Sequence, residues 1–221
     1  MMNKPYLRVA LIAVAYLLII AMAYLGYATR KGNLTDWFLI LTALAYGFGG
    51  PYLVRSTLKK ESLIQRENQD RSLWLIIPGF LFVFYASPIE YIYALNRLPR
   101  STGMQIAALV LLFMSITLFS WARITLGDFY SGRARVTDDH VLIQRGPYRF
   151  IRHPAYAAYL IMGVGITIGY SSWFGLAATL FIMLPALVYR IHVEEELLFA
   201  GFGDDFLQYS QKTRRLIPYI W

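Results

Sequence analysis

Long runs without a single charged residue divide the chain. They are 21, 18, 18, 22 and 36 residues long and cover Val9–Thr29, Trp37–Val54, Ser72–Ile89, Ser101–Ala122 and Pro154–Tyr189. A helix that crosses the hydrocarbon core of a bilayer needs about 20 predominantly apolar residues. Each of the first four runs therefore predicts one membrane-spanning helix.

The fifth run is too long for one span and fits two. Near its middle, Gly169-Tyr-Ser-Ser-Trp173 supplies turn residues and aromatic side chains typical of a membrane interface. We predict a helical hairpin made of Pro154–Tyr170 and Trp173–Tyr189. The chain is thus predicted to be an all-α, polytopic membrane protein with about six helices. Residues 1–100 form one unit of three spans, and residues 101–221 form a second unit that contains the hairpin.

Composition supports a membrane protein and excludes several other classes. Hydrophobic residues make up 57% of the chain, charged residues 15%, and the mean hydropathy is +0.47. Soluble globular chains are about 45–50% apolar and about 25% charged. An ordinary soluble domain and a disordered chain are therefore excluded. The chain has no cysteine, which excludes disulfides, thiolate nucleophiles and cysteine-bound metals.

The basic residues are unevenly distributed between the two sides of the predicted membrane topology. With six spans, 17 of the 21 Lys and Arg residues fall on the side that carries both termini. Cytoplasmic loops carry an excess of Lys and Arg, so we expect this side to be cytoplasmic. The net charge of +8 then reflects topology, and we expect no nucleic-acid partner.

Polar residues concentrate in two clusters, Arg145–Tyr156 and Arg190–Glu196, which flank the predicted hairpin. Because a hairpin returns its ends to the same side, the clusters should meet at the cytoplasmic surface. The arginines of the first cluster and the N-terminus of the helix that begins at Pro154 would both favour binding of an anion there. A basic loop at the membrane surface would look similar. Arg190 and Glu194 stand four residues apart, which fits either a functional pair or an ion pair that closes a helix.

Other polar residues fit structural interpretations. His140, His153 and His192 lack metal-binding spacing, so we expect no metal. The repeat Gly165-xxx-Gly169 lies inside an apolar run and predicts a close helix-packing face rather than a nucleotide loop. We expect Glu90, near the outer end of the third span, to extend its side chain to the interface.

The order of motifs in the second half resembles a known family. The motifs are Gly146-Pro-Tyr-Arg-Phe-Ile-Arg-His-Pro-Ala-Tyr156, the hydrophobic hairpin, and Glu194-Glu195-x-x-Leu198-x-x-x-Phe202-Gly203. Upstream stand Arg123-x-x-Leu126-Gly127 and His140-x-Leu142-Ile143, and downstream Tyr209, Arg215 and Ile217-Pro218. Together they resemble the isoprenylcysteine carboxyl methyltransferase family, whose wider group includes phospholipid N-methyltransferases and membrane thiol methyltransferases. The resemblance covers roughly residues 120–221.

The resemblance implies an integral-membrane methyltransferase that uses S-adenosyl-L-methionine and acts on a lipophilic acceptor. Residues 101–221 would be the methyltransferase core, with a cytoplasmic cofactor pocket. By position, Arg190 would face the reacting group, with Glu194 as a second catalytic residue. The residues implied to contact the cofactor or shape its pocket are Gly146, Pro147, Tyr148, Arg152, His153, Tyr156, Glu194 and Glu195. The membrane would be a bacterial or archaeal cell membrane, or the endoplasmic reticulum.

The sequence leaves the acceptor open. The carboxylate of a prenylated cysteine, like a thiolate, is already anionic and needs no base, and an arginine such as Arg190 can orient it. Phosphatidylethanolamine must lose a proton, which would require a base such as Glu194 or His153. Alternatives of another class are an NADPH-dependent membrane reductase and a non-enzymatic membrane protein.

Overall fold

The structure is a computed structural model that describes residues 73–92, 101–129, 141–218 and 220–221. These residues form helices, turns and one isolated parallel bridge, between Ile151 and Arg214. The α-helices are α1 (Leu73–Ile92), α2 (Thr102–Leu126), α3 (Pro154–Tyr170), α4 (Trp173–Phe202) and α5 (Asp204–Lys212). The predicted spans Val9–Thr29 and Trp37–Val54 lie outside the described residues. A total of six helices therefore stays a prediction, while the mostly helical fold is confirmed.

The predicted hairpin is present as α3 and α4. Pro154 occupies the first turn of α3, where its missing N–H costs no hydrogen bond. The residue after α3, Ser171, has a left-handed φ of 49° and forms the C-cap of this helix. Ser172 then caps the N-terminus of α4, because its side chain accepts a hydrogen bond from the Gly175 N–H at 2.8 Å. The turn therefore lies where the sequence predicted it.

The far end of α4 differs from the prediction. We expected the span to end near Tyr189, where the uncharged run stops, with helical character again at the start of the tail, whereas one helix continues through Phe202. The added residues include Glu194, Glu195 and Leu198, which have good helix propensity. The loss of hydrophobicity after Tyr189 marks the end of the apolar run, and α4 is longer than the predicted span.

Glycines allow the helices to approach closely. A Cβ atom at Gly163 would clash with the Met183 methyl group, where α3 crosses the π-helical turn Thr179–Met183 of α4. Gly165 lies against α2, where a Cβ atom would stand 3.2 Å from the Leu112 side chain. The predicted helix-packing role of this glycine motif is confirmed at Gly165.

Two of the described helices, α2 and α4, are long and apolar enough to cross a membrane by length and composition. Large apolar side chains point outward from them, such as Phe113, Ile124 and Phe181, which are 73%, 80% and 78% exposed. Large apolar side chains exposed in this number are compatible with contact to lipid tails.

The prediction for Glu90 was wrong. Its side chain is buried, with the residue only 2% exposed, and it does not reach outward from α1. Its carboxylate accepts hydrogen bonds from the Ser172 hydroxyl and from the Phe174 N–H, the latter at 3.0 Å. Glu90 therefore caps the N-terminus of α4 from a neighbouring helix, where the helix dipole favours a negative charge.

Candidate functional site

The two polar clusters meet, as the hairpin topology predicted. Because α3 and α4 run antiparallel, the start of α3 lies beside the C-terminal half of α4. Ring nitrogens of His153 lie 3.6 Å from Glu194 Oε2 and 3.3 Å from Glu195 Oε1. One turn further along, Tyr156 contacts Arg190. Both contacts join residues more than 30 positions apart in the chain.

The loop before α3 is held by a short 3₁₀ turn, Gly146–Arg149. Gly146 has a φ of +60°, and a Cβ atom there would lie 2.6 Å from the Thr125 hydroxyl oxygen at the end of α2. Pro147 and Tyr148 are buried, and the Tyr209 hydroxyl donates to the Tyr148 carbonyl at 2.7 Å. These residues fix the loop against α2 and α5.

The segment after α5, residues 213–215, runs alongside the loop and holds its backbone; we call it the tail segment. The Arg152 N–H donates to the Arg214 carbonyl at 2.7 Å, and the His153 N–H donates to the Arg215 carbonyl at 3.0 Å. In return, the Arg214 N–H donates to the Phe150 carbonyl at 3.2 Å. The position of His153 therefore depends on the tail segment as well as on α3.

The Glu195 carboxylate contacts three basic side chains. The Arg152 Nε–H donates to its Oε1 at 2.7 Å, and His153 Nε2 lies 3.3 Å from the same oxygen. The Arg215 guanidinium donates to Oε2 at 2.9 Å. Arg152 also donates to the carbonyls of Ser210 and Thr213, at 2.9 and 2.7 Å. One carboxylate thus links α4, the loop and the tail segment.

Glu194 has different surroundings. Its side chain is 31% exposed, yet its Oε2 is shielded from solvent and accepts no hydrogen bond from any described residue. The nearest positive group is His153 Nδ1 at 3.6 Å, which is ion-pair distance but beyond a good hydrogen bond. A shielded carboxylate oxygen of this kind is free to accept a hydrogen bond from a ligand.

The two glutamates determine the charge of His153. Burial alone would lower the pKa of His153, but the nearby carboxylates of Glu194 and Glu195 outweigh it and raise the pKa above its ordinary value of 6.5. The positively charged imidazolium is therefore favoured. The site combines this cation with two carboxylates at the open end of the hairpin.

Arg190 is a buried cation on the inner side of the site, only 2% exposed. Its Nε–H donates to the Tyr156 hydroxyl at 3.0 Å, and the Tyr156 ring stacks on the His153 ring with centroids 5.6 Å apart. Burying a guanidinium is costly without partners, so such a residue is typical of a functional site.

A cavity of about 240 Å³ opens beside this network. It is lined by Arg152, Ser210, Thr213, Arg214, Arg215, Ile220 and Trp221. Arg215 was named in the downstream motif and Arg214 was counted only for charge, and both residues were left out of the predicted site. The signal was present as a basic pair inside the downstream part of the motif set.

The comparisons with known proteins agree with the geometry. Residues 106–200 match the isoprenylcysteine carboxyl methyltransferase (ICMT) family. The resemblance to the ICMT family is confirmed. This stretch contains the loop, the hairpin and both glutamates.

Two curated relatives show how far the likeness extends. A probable protein-S-isoprenylcysteine O-methyltransferase of Oryza sativa subsp. indica is 30% identical over 114 residues, which are 51% of this chain and 60% of that protein. The chain therefore spans less than two thirds of this relative. Protein-S-isoprenylcysteine O-methyltransferase A of Arabidopsis thaliana is 23% identical over 158 residues, 69% of this chain and 80% of that protein.

The fold is also similar to a solved structure, that of the eukaryotic intramembrane Ras methyltransferase ICMT. The TM-score is 0.61 with 19% sequence identity, over 96% of this chain and 76% of that chain. At this identity the likeness establishes the fold. The arrangement of helices is therefore shared with a membrane-embedded ICMT protein.

Proposed function

We propose that the protein is a membrane methyltransferase that transfers a methyl group from S-adenosyl-L-methionine to the carboxylate of a prenylated cysteine. The observation that carries this proposal is the ICMT match over residues 106–200, because it includes both polar clusters that the fold brings together. Two curated relatives support it, a probable protein-S-isoprenylcysteine O-methyltransferase of Oryza sativa subsp. indica and protein-S-isoprenylcysteine O-methyltransferase A of Arabidopsis thaliana. The prenyl chain makes the acceptor lipophilic, in keeping with the apolar outer surface of α2 and α4.

The residues of the site fit the methyl donor. S-Adenosylmethionine supplies an activated methyl group on a sulfonium cation, next to an ammonium and a carboxylate. The shielded Oε2 of Glu194 suits the ammonium, and the positive charge of His153 suits the carboxylate. Tyr156 presents an aromatic ring, which attracts a cation such as a sulfonium. We propose that Gly146, Pro147, Tyr148, Arg152 and Glu195 shape this pocket through the loop and tail contacts.

The remaining task of the protein is to hold the acceptor. A carboxylate is already anionic near neutral pH, so no general base is needed. The Arg190 guanidinium can bind and orient it, and the hydrogen bond from Nε to Tyr156 fixes the plane of that guanidinium. Burial keeps water away from the reacting groups. Positioning and water exclusion are therefore the main contributions of this chain.

We propose the following membrane arrangement. Residues 1–100 provide three spans, residues 101–221 form the methyltransferase core, and the site faces the cytoplasm together with both termini. The distribution of 17 of the 21 basic residues on that side supports the orientation. A cysteine-accessibility map of single-cysteine variants at exposed loop positions tests it, because the natural chain contains no cysteine.

The activity is tested by incubating the purified protein with methyl-labelled S-adenosylmethionine and either N-acetyl-S-farnesylcysteine or phosphatidylethanolamine in lipid nanodiscs. We expect label in a base-labile ester of the farnesylcysteine. Label in phosphatidylethanolamine alone would favour N-methylation, and label in neither would reject both acceptors. Calorimetry with S-adenosylhomocysteine and NADPH separates a methyltransferase from a reductase, since the proposal expects only the former to bind.

A further inference from the structure

We infer that the cavity beside the tail segment, which we call the tail cavity, binds the phosphate of an anionic phospholipid headgroup. Of the residues proposed to contact the cofactor or shape its pocket, only Arg152 lines this cavity. The inference goes beyond the proposed function, because it concerns a lipid held at the membrane surface and not the methyl transfer.

The tail cavity is strongly basic. Three of the residues that line it are arginines, Arg152, Arg214 and Arg215, and none of its lining residues is acidic. The Glu195 carboxylate pairs with two of these arginines but supplies only one negative charge. His153 lies beside the same carboxylate, so the network keeps a surplus of positive charge. An anion in the cavity would balance this surplus.

Guanidinium groups remain available for such an anion. Arg215 holds Glu195 through Nε and Nη2, both at 2.9 Å, and no described residue accepts a hydrogen bond from its Nη1. The exposed side chain of Arg214 forms no ion pair or hydrogen bond with the described residues. The Arg215 guanidinium also lies over the Trp221 ring, 5.5 Å from the ring centroid, which helps to orient it. Oriented guanidinium groups bind phosphate oxygens in pairs.

The size and the rim of the tail cavity suit a lipid headgroup. Its volume of about 240 Å³ is far more than one water occupies, since the share of a water in the liquid is about 30 Å³. Ile220 lines the cavity and Ile217 is its neighbour in sequence, and the two are 77% and 51% exposed. Apolar side chains beside cations are typical of a surface that contacts both acyl chains and phosphates. A free phosphate would not contact the isoleucines favourably, so a lipid is the preferred source of the anion.

The position of the tail cavity along α4 also agrees with a headgroup. The apolar run ends at Tyr189, which is 43% exposed and is of a residue type enriched at membrane interfaces. Glu195 stands six residues further on, which is about 9 Å along the axis at about 1.5 Å per residue. The polar layer on each side of a bilayer is about 5–8 Å thick. The arginines around Glu195 therefore lie at the outer edge of this layer, within reach of lipid phosphates.

The experiment measures lipid binding in the absence of the methyl donor. The purified protein, in a neutral detergent, is mixed with equal amounts of dioleoylphosphatidylglycerol and dioleoylphosphatidylcholine, and native mass spectrometry counts the lipids that stay bound. We expect the phosphatidylglycerol to be retained preferentially. In Arg214→Gln we expect its apparent affinity to fall about fivefold, which is the contribution of one basic residue near an anionic lipid surface.

Two further variants keep the result interpretable. Lys212→Gln is the matched control, because Lys212 is an exposed basic residue close to Arg214 that does not line the cavity, and it should leave the lipid preference unchanged. Ile220→Ser should weaken retention of the phosphatidylglycerol through loss of the apolar rim. Folding of Arg214→Gln is not at risk from lost backbone contacts, since the Arg214 N–H still donates to the Phe150 carbonyl.

Inorganic phosphate and glycerol 3-phosphate distinguish a lipid headgroup from a free anion. At millimolar concentration neither should displace the phosphatidylglycerol, and full displacement by either would overturn the lipid assignment. Equal retention of the two lipids by the unmodified protein would also overturn it, as would equal losses in Arg214→Gln and Lys212→Gln. Failure of the proposed function looks different, because S-adenosylhomocysteine would then not bind while lipid retention stayed the same.

Discussion

A glutamate stabilises each end of the α3–α4 hairpin, but the two act in different ways: Glu90 of α1 is buried at the turn, and Glu195 of α4 is partly buried at the open end. At the turn, Glu90 accepts hydrogen bonds from a hydroxyl and a backbone N–H, both neutral donors. At the open end, Glu195 is bound by Arg152 and Arg215 and lies beside His153. The turn end is a helix cap supplied by α1, whereas the open end is a network of opposite charges.

The two kinds of contact have different consequences for the fold and for the polar site. A cap with neutral donors fixes a helix terminus and leaves no unbalanced charge elsewhere when it is lost. A carboxylate among several cations joins segments that are distant in sequence, and its loss leaves like charges together. The first arrangement serves folding. The second holds a polar site in a defined geometry next to an apolar membrane segment.

The largest effect expected from this comparison follows Glu195→Ala. Removing one partner from a fully buried ion pair costs about 3–5 kcal/mol, because an uncompensated charge remains. We expect the lower end of that range here, because the side chains of Glu195 and Arg215 are 12% and 31% exposed. Thermal unfolding in detergent should show a large loss, while the exposed Glu196→Ala control should change little. A loss below about 1 kcal/mol would mean that the network contributes no more than a surface ion pair.

A smaller effect is expected at the turn. Glu90→Ala leaves the Ser172 hydroxyl and the Phe174 N–H without their acceptor, and a buried unsatisfied group costs about 1–3 kcal/mol. Glu90→Gln keeps an acceptor oxygen and should cost less. Because this end lies a helix length away from His153, the affinity of the folded variant for S-adenosylhomocysteine should not change. A weaker affinity would show that the two ends are coupled.

The backbone of the loop provides a third comparison. At Gly146, alanine would be placed at a φ of +60° and close to the Thr125 hydroxyl. The left-handed conformation alone costs about 1–2 kcal/mol for a residue with a Cβ atom. Gly127→Ala is the matched control, since φ is +57° there but no atom lies within 4 Å. The difference between the two variants in thermal unfolding measures the contact with α2; equal losses would show that the contact is unimportant.

The smallest expected effect is the dependence of stability on pH through His153. Since the folded-state pKa of His153 is raised above 6.5, its contribution to stability is fully present below pH 6.5 and is lost as the pH rises through the folded-state pKa. NMR titration of the His153 ring should give a midpoint above 6.5, and Glu194→Gln should lower it. A midpoint at or below 6.5 in the unmodified protein would contradict the charge network.

Much of the hairpin could be predicted from local sequence. The length of the uncharged run indicated two helices rather than one, and Gly169-Tyr-Ser-Ser-Trp173 indicated the turn, because turn residues and caps act over a few positions. The meeting of His153 with Glu194 and Glu195 followed from the hairpin topology. Helical structure was expected at Arg190 and Glu194, but its continuation to Phe202 was not, because helix propensity persists after hydrophobicity has stopped.

The sequence by itself determined the apolar helices, the turn between α3 and α4 and the approach of the two polar clusters, since these depend on short-range pattern and on chain connectivity. Only the tertiary structure decided that Glu90 is buried under the turn, that the tail segment holds His153, and that Glu194 and Glu195 have different partners. Those outcomes depend on contacts between residues far apart in the chain, such as Arg152 with Glu195. The surroundings of a charged side chain, and hence its chemical role, are set by such contacts and are not encoded by its own position in the sequence.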